Sequence, residues 1–266
     1  MRTTVKLPSF SNVAAGNTAT LELPIGRTYD KIHVQYSGVT LAQMKNIRLE
    51  VNGKVIIEFK DGQALADYNK FYKRNTAVGV LDFHFKRDEM KTLLEGRMFG
   101  LGTKSGASGI ISNVTMRIEI DAAAAAPVLQ GYAIQSDAAE IGYITKVKNF
   151  PVALNTGVTE IDKIPRPASA SIAAIHIITT ATVTKVELEM DSLKAFEGDK
   201  TLIEKIQVDH GRAPQAGMVT LDFVLEGDML QAIPLKGLQD FRIRVYTDDA
   251  AAAVVRVEYF DGLAGI

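Results

Sequence analysis

The stretch Ile47-Arg48-Leu49-Glu50-Val51-Asn52-Gly53-Lys54-Val55-Ile56-Ile57-Glu58-Phe59 indicates what kind of fold this chain adopts. Residues 47–51 alternate apolar and polar side chains, which is the two-residue period of a strand with one buried face. Asn52-Gly53 favours a tight two-residue turn, and a second strand-like run follows at 55–59. The stretch therefore predicts a β-hairpin.

Similar strand patterns occur throughout the chain, with Gly, Pro, Asn and Asp between them. The predicted strands are 31–36, 47–51, 55–59, 80–85, 114–120, 174–178, 185–190, 219–225, 241–246 and 254–260. Helical periodicity is confined to about 63–74, a shorter segment around Leu202, Ile203 and Ile206, and a helical turn at 88–95. Many strands with few helices predict an all-β sandwich or barrel.

Short motifs recur in the same order in the two halves, at a spacing far longer than that of a solenoid repeat. Leu81-Asp82-Phe83 returns as Leu221-Asp222-Phe223, 140 residues later, and Leu23-Pro24 returns as Ile164-Pro165. The remaining pairs are Ile32-His33-Val34 with Ile175-His176-Ile177, and 116–120 with 241–245. Their common order predicts two copies of one β-rich module.

About seven or eight strands in each half fit two tandem jelly-roll β-sandwiches, a double jelly-roll with a few short helices. Strand alternation fades over 127–150, which places the boundary in that region. We therefore predict an N-terminal jelly-roll over 1–142, with a linker from about residue 127, and a C-terminal jelly-roll over 143–266. A single continuous β-sandwich with accidental echoes is the alternative.

Composition excludes several classes of protein. The chain has 266 residues and a formal net charge of −1, so it lacks the basic surface that strong, direct nucleic-acid binding requires. The absence of cysteine excludes disulfide scaffolds, thiol catalysis and thiolate zinc sites. No apolar stretch reaches the length of a membrane span, and the N-terminus lacks the apolar core of a secretory signal.

The sequence predicts no catalytic, cofactor or metal site. His33, His84, His176 and His210 stand alone, whereas metal-binding cupins gather several imidazoles, usually from a His-x-His pair, so we expect ordinary strand residues. Ser105-Gly106-Ala107-Ser108-Gly109 lacks the spacing of a nucleophile elbow, and the residues around it lack that of a phosphate loop. A flexible loop is the better interpretation, and we expect no enzyme.

Three other features each have a structural and a functional interpretation. Glu226-Gly227-Asp228 and Asp248-Asp249 are candidate ligands of a structural calcium ion or, more simply, solvated turn residues. The alanine runs at 122–126 and 250–253 favour a loop or frayed turn over a close backbone contact. Arg2 and Lys6 mark either an arm that binds a membrane surface or a neighbour, or a disordered terminus.

Groups of residues along almost the whole chain resemble one viral family. In order they are 12–17 (NVAAGN), 23–26 (LPIG), 36–40 (YSGVT), 45–46 (KN), 97–103 (RMFGLGT), 165–167 (PRP), 172–177 (IAAIHI) and 225–228 (LEGD). Together they resemble the major capsid protein of the corticoviruses, tailless icosahedral bacteriophages with a membrane inside the capsid. The specificity lies in the number and order of these motifs, since none is diagnostic alone.

The resemblance implies a structural protein of the virion with a double jelly-roll fold. It implies a homotrimer of pseudo-hexagonal outline, which contacts neighbouring capsomers and tiles an icosahedral shell. A different vertex protein (penton or spike) fills the five-fold positions, and minor membrane proteins and a lipid vesicle lie beneath. Assembly would take place in the cytoplasm of a bacterial host. Because lipid separates shell from genome in this family, no sequence-specific contact with nucleic acid is expected.

Two alternatives come from other functional classes. A β-sandwich binding or adhesion module would favour exposed aromatic residues, but aromatics make up only 7% of the chain and tryptophan is absent. A double-domain enzyme of the cupin kind would need a histidine cluster that the sequence does not contain.

Overall fold

The computed structural model describes residues 1–107 and 109–264 of the chain. The chain divides into two compact units, Met1–Val147 and a second unit that begins at Lys148. The sequence predicts this division five residues earlier, after residue 142.

Two antiparallel sheets make up the first unit. Their strand orders are β1-β9-β3-β6, with β7 added beside β3, and β2-β8-β4-β5. A short 3₁₀ helix lies at Leu41–Gln43. In chain order the elements are β1 (Thr3–Lys6), β2 (Thr18–Glu22), β3 (Thr28–Ser37), β4 (Met44–Val51), β5 (Lys54–Asp61), α1 (Gly62–Phe71), β6 (Val80–His84), α2 (Leu93–Met98), β7 (Leu101–Gly102), β8 (Val114–Ile120) and β9 (Val128–Ser136).

Two further four-stranded sheets make up the second unit, with strand orders β10-β18-β12-β15 and β11-β17-β13-β14. The short strand β16 pairs with β12, and a second 3₁₀ helix lies at Met229–Gln231. In chain order the elements are β10 (Ile144–Leu154), β11 (Gly157–Ile161), β12 (Ser171–Thr179), β13 (Val183–Met190), β14 (Leu193–Asp199), α3 (Lys200–Asp209), β15 (Met218–Asp222), β16 (Ile233–Pro234), β17 (Phe241–Thr247) and β18 (Ala251–Asp261).

The two units have the same topology, strand for strand. Of the nine strands in each unit, the first, third, sixth, seventh and ninth lie in one sheet and the other four lie in the second sheet, which is the jelly-roll arrangement. Apolar residues from both sheets form the core; in the second unit Ile175 of β12 and Val245 of β17 belong to one buried cluster. The prediction of two tandem jelly-rolls is confirmed, and the alternative of one continuous sandwich is wrong.

Irregularities of the sheets also repeat. A bulge interrupts the pairing of β3 with β9 at Asp30, and another interrupts the pairing of β12 with β18 at Ala173. The carbonyl of Asp30 accepts from the amide of Phe85 at 3.0 Å, and that of Ala173 accepts from Phe223 at 2.9 Å. Because a bulge inserts one extra residue into a strand, matching bulges fix the alignment of the repeats residue by residue.

This alignment corrects one sequence motif. Since Phe85 corresponds to Phe223, the true counterpart of Leu221-Asp222-Phe223 is Phe83-His84-Phe85 rather than Leu81-Asp82-Phe83. The mismatch is two residues, so both alignments put the same side chains on the same face of the strand, and alternation alone could not separate them. His33 pairs across the sheet with Asp82 and His176 pairs with Thr220, which keeps the two histidines equivalent.

The predicted hairpin at 47–59 is confirmed as β4 and β5. Its turn residues Asn52 and Gly53 both have positive φ, 51° and 75°, as a type I′ turn requires. Asp191 and Ser192 take the same place in the second unit, with φ of 47° and 66°. The Asp191 carboxylate accepts from the amide of Asp240 at 2.8 Å, which compensates for the absence of glycine in this turn.

Each of the two longer helices begins immediately after an aspartate. The Asp61 carboxylate accepts from the amide of Ala64 at 2.8 Å, and that of Asp199 accepts from Leu202 at 2.8 Å, which satisfies a free amide at each N-terminus. The predicted helices near 63–74 and 202–206 are thereby confirmed. The predicted turn at 88–95 is misplaced, because the helix starts after Thr92, whose hydroxyl caps the amide of Glu95.

The region 127–150 contains the division between the two units, after Val147, but it is not the predicted linker, because β9 and most of β10 lie in it. The inward face of β9 carries Leu129, Gly131, Ala133 and Gln135, which are small or polar apart from the leucine. Alternation of hydrophobicity therefore disappears although alternation of burial persists. Gly131 leaves room for its neighbours, since a Cβ would lie 3.0 Å from the Leu7 side chain, which would then have to shift.

Candidate functional site

Three of the histidines are bonded within their own unit. His33 Nδ1 lies 2.6 Å from an Asp82 carboxylate oxygen. The fully buried His176 contacts Thr220 Oγ1 at 2.8 Å and Glu258 Oε1 at 2.7 Å through its two ring nitrogens. The exposed His210 contacts the carbonyl of Ile206 at 2.8 Å. These are structural hydrogen bonds, as expected of ordinary strand and cap residues.

His84 differs from the other three. Both of its ring nitrogens are buried and have no hydrogen-bond partner within the described part of the chain. Burial, together with the charges of Arg74 and Lys31, lowers the pKa of His84 to about 2. The imidazole is therefore neutral at ordinary pH.

The remaining predicted candidates are engaged in local structure. The Ser105 hydroxyl accepts from the amide of Ile111 at 2.9 Å, whereas Ser108 lies outside the described residues. Asp228 Oδ1 accepts from the amide of Leu230 at 2.8 Å, and Asp249 Oδ1 accepts from Thr182 at 2.7 Å. Within residues 1–107 and 109–264 no three histidine, aspartate or glutamate side chains group as metal ligands would.

The two alanine runs have different structures. Residues 122–126 form a loop that approaches Gly38 closely, because a Cβ built on Gly38 would lie 1.9 Å from the Ala126 carbonyl oxygen. The run at 250–253 leads into β18, which begins at Ala251, so the prediction of a loop or frayed turn is wrong for most of it. Close backbone approach is thus found at the first run.

The N-terminal residues are part of a sheet rather than a disordered terminus. Thr3–Lys6 pair antiparallel with β9, and Arg2 lies 3.6 Å from the Asp30 carboxylate. The N-terminal amine contacts Asp137 at 2.6 Å. Arg2 and Lys6 therefore belong to the first unit and do not form a separate arm.

One end of the first unit carries the clearest candidate surface. Thr103 Oγ1 accepts from the amide of Gly26 at 2.8 Å and donates to the carbonyl of Arg27 at 2.6 Å. Asn52 Nδ2 donates to the carbonyl of Ile110 at 2.6 Å, which ties the β4–β5 turn to the same segment. The loops 24–27 and 52–53 and the segments 85–107 and 109–113 thus form one surface, which we name the loop end.

The loop end is both apolar and basic. Its exposed large apolar side chains include Leu93 and Leu94 on α2, which are 69% and 73% accessible, and Ile110 at 76%. Ile25 and Met98 are also exposed. Apart from the buried pair of Arg87 and Glu89, the charged residues of these segments are five basic (Arg27, Lys86, Lys91, Arg97 and Lys104) and two acidic (Asp88 and Glu95), whereas the whole chain carries −1.

A second surface is charged but internally balanced. The outward face of the sheet β11-β17-β13-β14 brings Glu160, Arg244, Glu187 and Glu197 into register across its four strands. Arg244 bonds to Glu160 at 3.1 Å, and Lys194 bonds to Glu197 at 2.7 Å. The charges of this face are thus largely paired within the sheet.

Sequence reasoning missed a buried ionic cluster in the first unit. Glu89 contacts Arg74 at 3.2 Å and Arg87 at 2.5 Å, and all three side chains are almost inaccessible. Both guanidinium groups also lie over the Tyr72 ring, at 4.7 and 4.8 Å. The sequence offered little signal, since charged residues in a loop between strands ordinarily indicate an exposed turn.

No helix within the described residues combines the length and the apolar character needed to cross a bilayer.

Two family models together match nearly the whole chain. The N-terminal domain of viral coat protein P2 matches residues 4–138, and its C-terminal domain matches residues 144–263. Major capsid protein P2 of Pseudoalteromonas phage PM2 is 38% identical over 270 residues, covering 97% of this chain and 97% of that protein.

Solved structures give the same result. The crystal structure of the major capsid protein P2 from bacteriophage PM2 matches with a TM-score of 0.96 and 37% identity, covering 100% of both chains. The MCP of STIV matches with a TM-score of 0.72 at 12% identity, covering 99% of this chain and 97% of that one. The Faustovirus major capsid protein matches at 0.64 and 7%, covering 98% and 90%.

At 12% and 7% identity the likeness concerns the fold alone. The match to the family models and to the phage PM2 protein is of a different kind, because it covers both units at substantial identity. A coat-protein family is structural, which sets aside the cupin-like enzyme and the adhesion module. The chain therefore belongs to the viral coat protein P2 family.

Proposed function

We propose that this chain is the major capsid protein of a bacteriophage virion. The observation that carries the proposal is 38% identity, over 97% of both chains, to a protein named major capsid protein P2. Two jelly-rolls of identical topology support it, since each copy then offers two related but different sandwiches to its neighbours. The role needs geometry rather than chemistry, so the protein is not an enzyme.

The proposal includes a homotrimer. Three copies of a two-sandwich chain supply six jelly-rolls, so a three-fold object acquires a pseudo-hexagonal outline and can contact six neighbouring capsomers. Closed symmetry makes the trimer, and heterologous contacts extend the layer of trimers into an icosahedral shell. A separate vertex protein would fill the five-fold positions. Assembly would take place in the cytoplasm of the bacterial host.

The proposal also places a lipid vesicle and minor membrane proteins beneath the shell. The loop end supports this part, because exposed Leu93, Leu94 and Ile110 lie there with an excess of basic residues. Apolar side chains can enter the headgroup region, while lysine and arginine attract anionic lipid at about 1 kcal/mol each. The contribution of one copy is small, but a shell presents many copies.

Assembly is proposed to need no cofactor. The carboxylates that are candidate calcium ligands accept local hydrogen bonds instead. Asp228 accepts from the Leu230 amide, and Asp249 accepts from the Thr182 amide. The trimer should therefore keep its mass when divalent ions are chelated. Loss of the trimer on chelation would show instead that a structural calcium ion is required.

Electron microscopy of the purified protein tests the coat function. Negatively stained particles should have a six-lobed, roughly hexagonal outline about a three-fold axis. Round particles without lobes would contradict paired sandwiches in a trimer.

Vesicle flotation tests the lipid-facing surface separately. The protein should float with vesicles that contain anionic lipid and should lose this association when Leu93 and Leu94 are both replaced by serine. Replacing the exposed Leu193 of the second unit by serine is the matched control and should change nothing. Equal flotation of all three proteins would remove the loop end from the proposal without affecting the coat function.

A further inference from the structure

His84 occupies a position where a positive charge on its ring would have no hydrogen-bond partner among the described residues. It is the last residue of β6 and lies across the sheet from Lys31. Both ring nitrogens are buried and have no hydrogen-bond partner among the described residues. His33, one strand away, has the Asp82 carboxylate to balance a charge, and His176 has Glu258.

The charges around His84 oppose a further positive charge. Lys31 and His33 lie on β3, Arg74 lies in the segment that follows α1, and Asp88 lies in the segment after β6. Arg74 is bound to Glu89 at 3.2 Å, and Asp88 is bound to Lys31 at 2.6 Å. The nearby carboxylates are therefore already engaged by other cations.

The second unit has a different residue, with a different partner, at the position that corresponds to His84. Its counterpart of His84 is Asp222, whose carboxylate accepts from Arg212 Nε at 2.7 Å. Arg212 corresponds to Arg74, because each donates its backbone amide to the carbonyl of the helix residue five positions earlier, Gln207 or Asn69. The second unit thus has an ion pair where the first has a neutral ring.

We propose that His84 makes the first unit sensitive to mild acid, so that proton uptake opens the end of β6 and loosens residues 85–99 while the second unit remains folded. This device goes beyond the coat function and does not depend on it. An unfolded histidine binds a proton below about pH 6.5, whereas buried His84 does not. The ratio of the open form to the closed form therefore rises roughly tenfold for each pH unit below that value.

The segment that would loosen carries part of the loop end. Its attachment points are the amides of Phe85 and Lys86, which both donate to the carbonyl of Asp30, and the buried pair of Arg87 with Glu89. Opening at His84 would disturb the first of these directly. Acid would then weaken the contacts that fix the position of α2, which carries the exposed Leu93 and Leu94.

Imidazole NMR tests the protonation state directly. The chain has four histidines, so protein labelled at histidine Cε1 gives four assignable resonances. Between pH 8 and pH 4.5 the His84 resonance of the folded protein should stay at its neutral position. A His84 resonance that titrates near pH 6.5 while β6 remains folded would overturn the proposal.

Proteolysis tests the consequence. A glutamyl endopeptidase that is active from pH 4 to 8 should cleave after the buried Glu89, and its rate is normalised to that on an unstructured peptide. From pH 8.0 to pH 5.0 the normalised rate should rise about 30-fold in the natural protein, because cleavage follows the open population. In His84→Phe, which keeps a ring but cannot ionise, the rise should largely disappear.

His210→Asn, which removes an exposed histidine of the second unit, is the control and should keep the full rise. An equal rise in His84→Phe and the natural protein would contradict the proposal. Should His84→Phe fail to fold, the imidazole titration of the natural protein still decides the question.

Discussion

Asn69 and Gln207, 138 residues apart in the chain, make the same hydrogen bond in the two units. Asn69 Nδ2 donates to the carbonyl of Asp82 at 2.8 Å, and Gln207 Nε2 donates to the carbonyl of Thr220 at 2.6 Å. Both amides are buried, and each joins the last turn of a helix to the outermost strand of a four-stranded sheet. Each helix thereby protects a strand edge that could otherwise pair with another copy of the chain.

Replacement of Gln207 by leucine should destabilise the second unit by about 1–3 kcal/mol, because the buried Thr220 carbonyl then loses its donor. Asn69→Leu should do the same in the first unit. Gln63→Leu removes an exposed amide from the same helix as Asn69 and serves as the control. Urea unfolding measures the change, and equal stability of Gln207→Leu and Gln63→Leu would refute the edge-protecting role.

Removal of the Asp222 carboxylate should cost more than the loss of any surface ion pair. Asp222→Ala leaves the buried Arg212 without its charge partner, a change worth about 3–5 kcal/mol. Asp209→Ala removes the partner of Lys205 on the exposed face of α3, where a loss of only about 0.3–0.5 kcal/mol is expected. Comparable losses in urea unfolding would show that Arg212 is solvated in solution.

Gly38→Ala should be strongly destabilising. Its φ is +66°, and the added Cβ would lie 1.9 Å from the Ala126 carbonyl oxygen, so the loop at 122–126 must move. Gly53→Ala is the matched control, since its φ is +75° but no atom lies within 4 Å of the added Cβ. The control should lose about 1–2 kcal/mol from backbone strain alone. A melting temperature no lower for Gly38→Ala than for Gly53→Ala would contradict the close approach.

Asp88 should contribute to acid unfolding in a window separate from that of His84. Partial burial would raise the pKa of Asp88, but hydrogen bonds from Lys31 and Lys86 outweigh it and lower the pKa to about 2. A lowered carboxyl pKa gives stability that is present above the unfolded value near 3.8 and is lost as the pH falls towards 2.

Asp88→Asn should therefore reduce stability at pH 7 and flatten its dependence on pH between about 4 and 2. Urea unfolding in steps of pH 0.5 measures the slope. An unchanged slope in this window would show that the lysine contacts do not persist in solution.

Local patterns were sufficient to predict the class of fold. The hairpin at 47–59 and the two longer helices follow from spacings of two and about 3.6 residues, and the two modules follow from motifs repeated in the same order about 140 residues apart. The strand at 128–136 could not be found in this way, because its inward residues include Gly131, Ala133 and Gln135. Burial there follows from the packing of the whole unit and leaves no hydrophobic signal in the segment itself.

The functional features likewise include some that the sequence shows and some that only the structure shows. The separation of the four histidines along the chain is visible in the sequence, whereas the isolation of His84 is not, since it depends on Arg74 and Asp88 being held by other partners. The two-residue error in aligning the motif at 81–83 concealed that Asp222 is the counterpart of His84. The paired bulges at Asp30 and Ala173 reveal the correct alignment, and the matching bonds of Asn69 and Gln207 agree with it.

The mass of the purified protein in solution, measured by light scattering on a sizing column, tests the coat assignment most directly. Three copies of the 28.9 kDa chain should elute as one stable species at three times that mass, unchanged by chelation of divalent ions. A species of 28.9 kDa at every concentration tested would contradict the proposed capsomer.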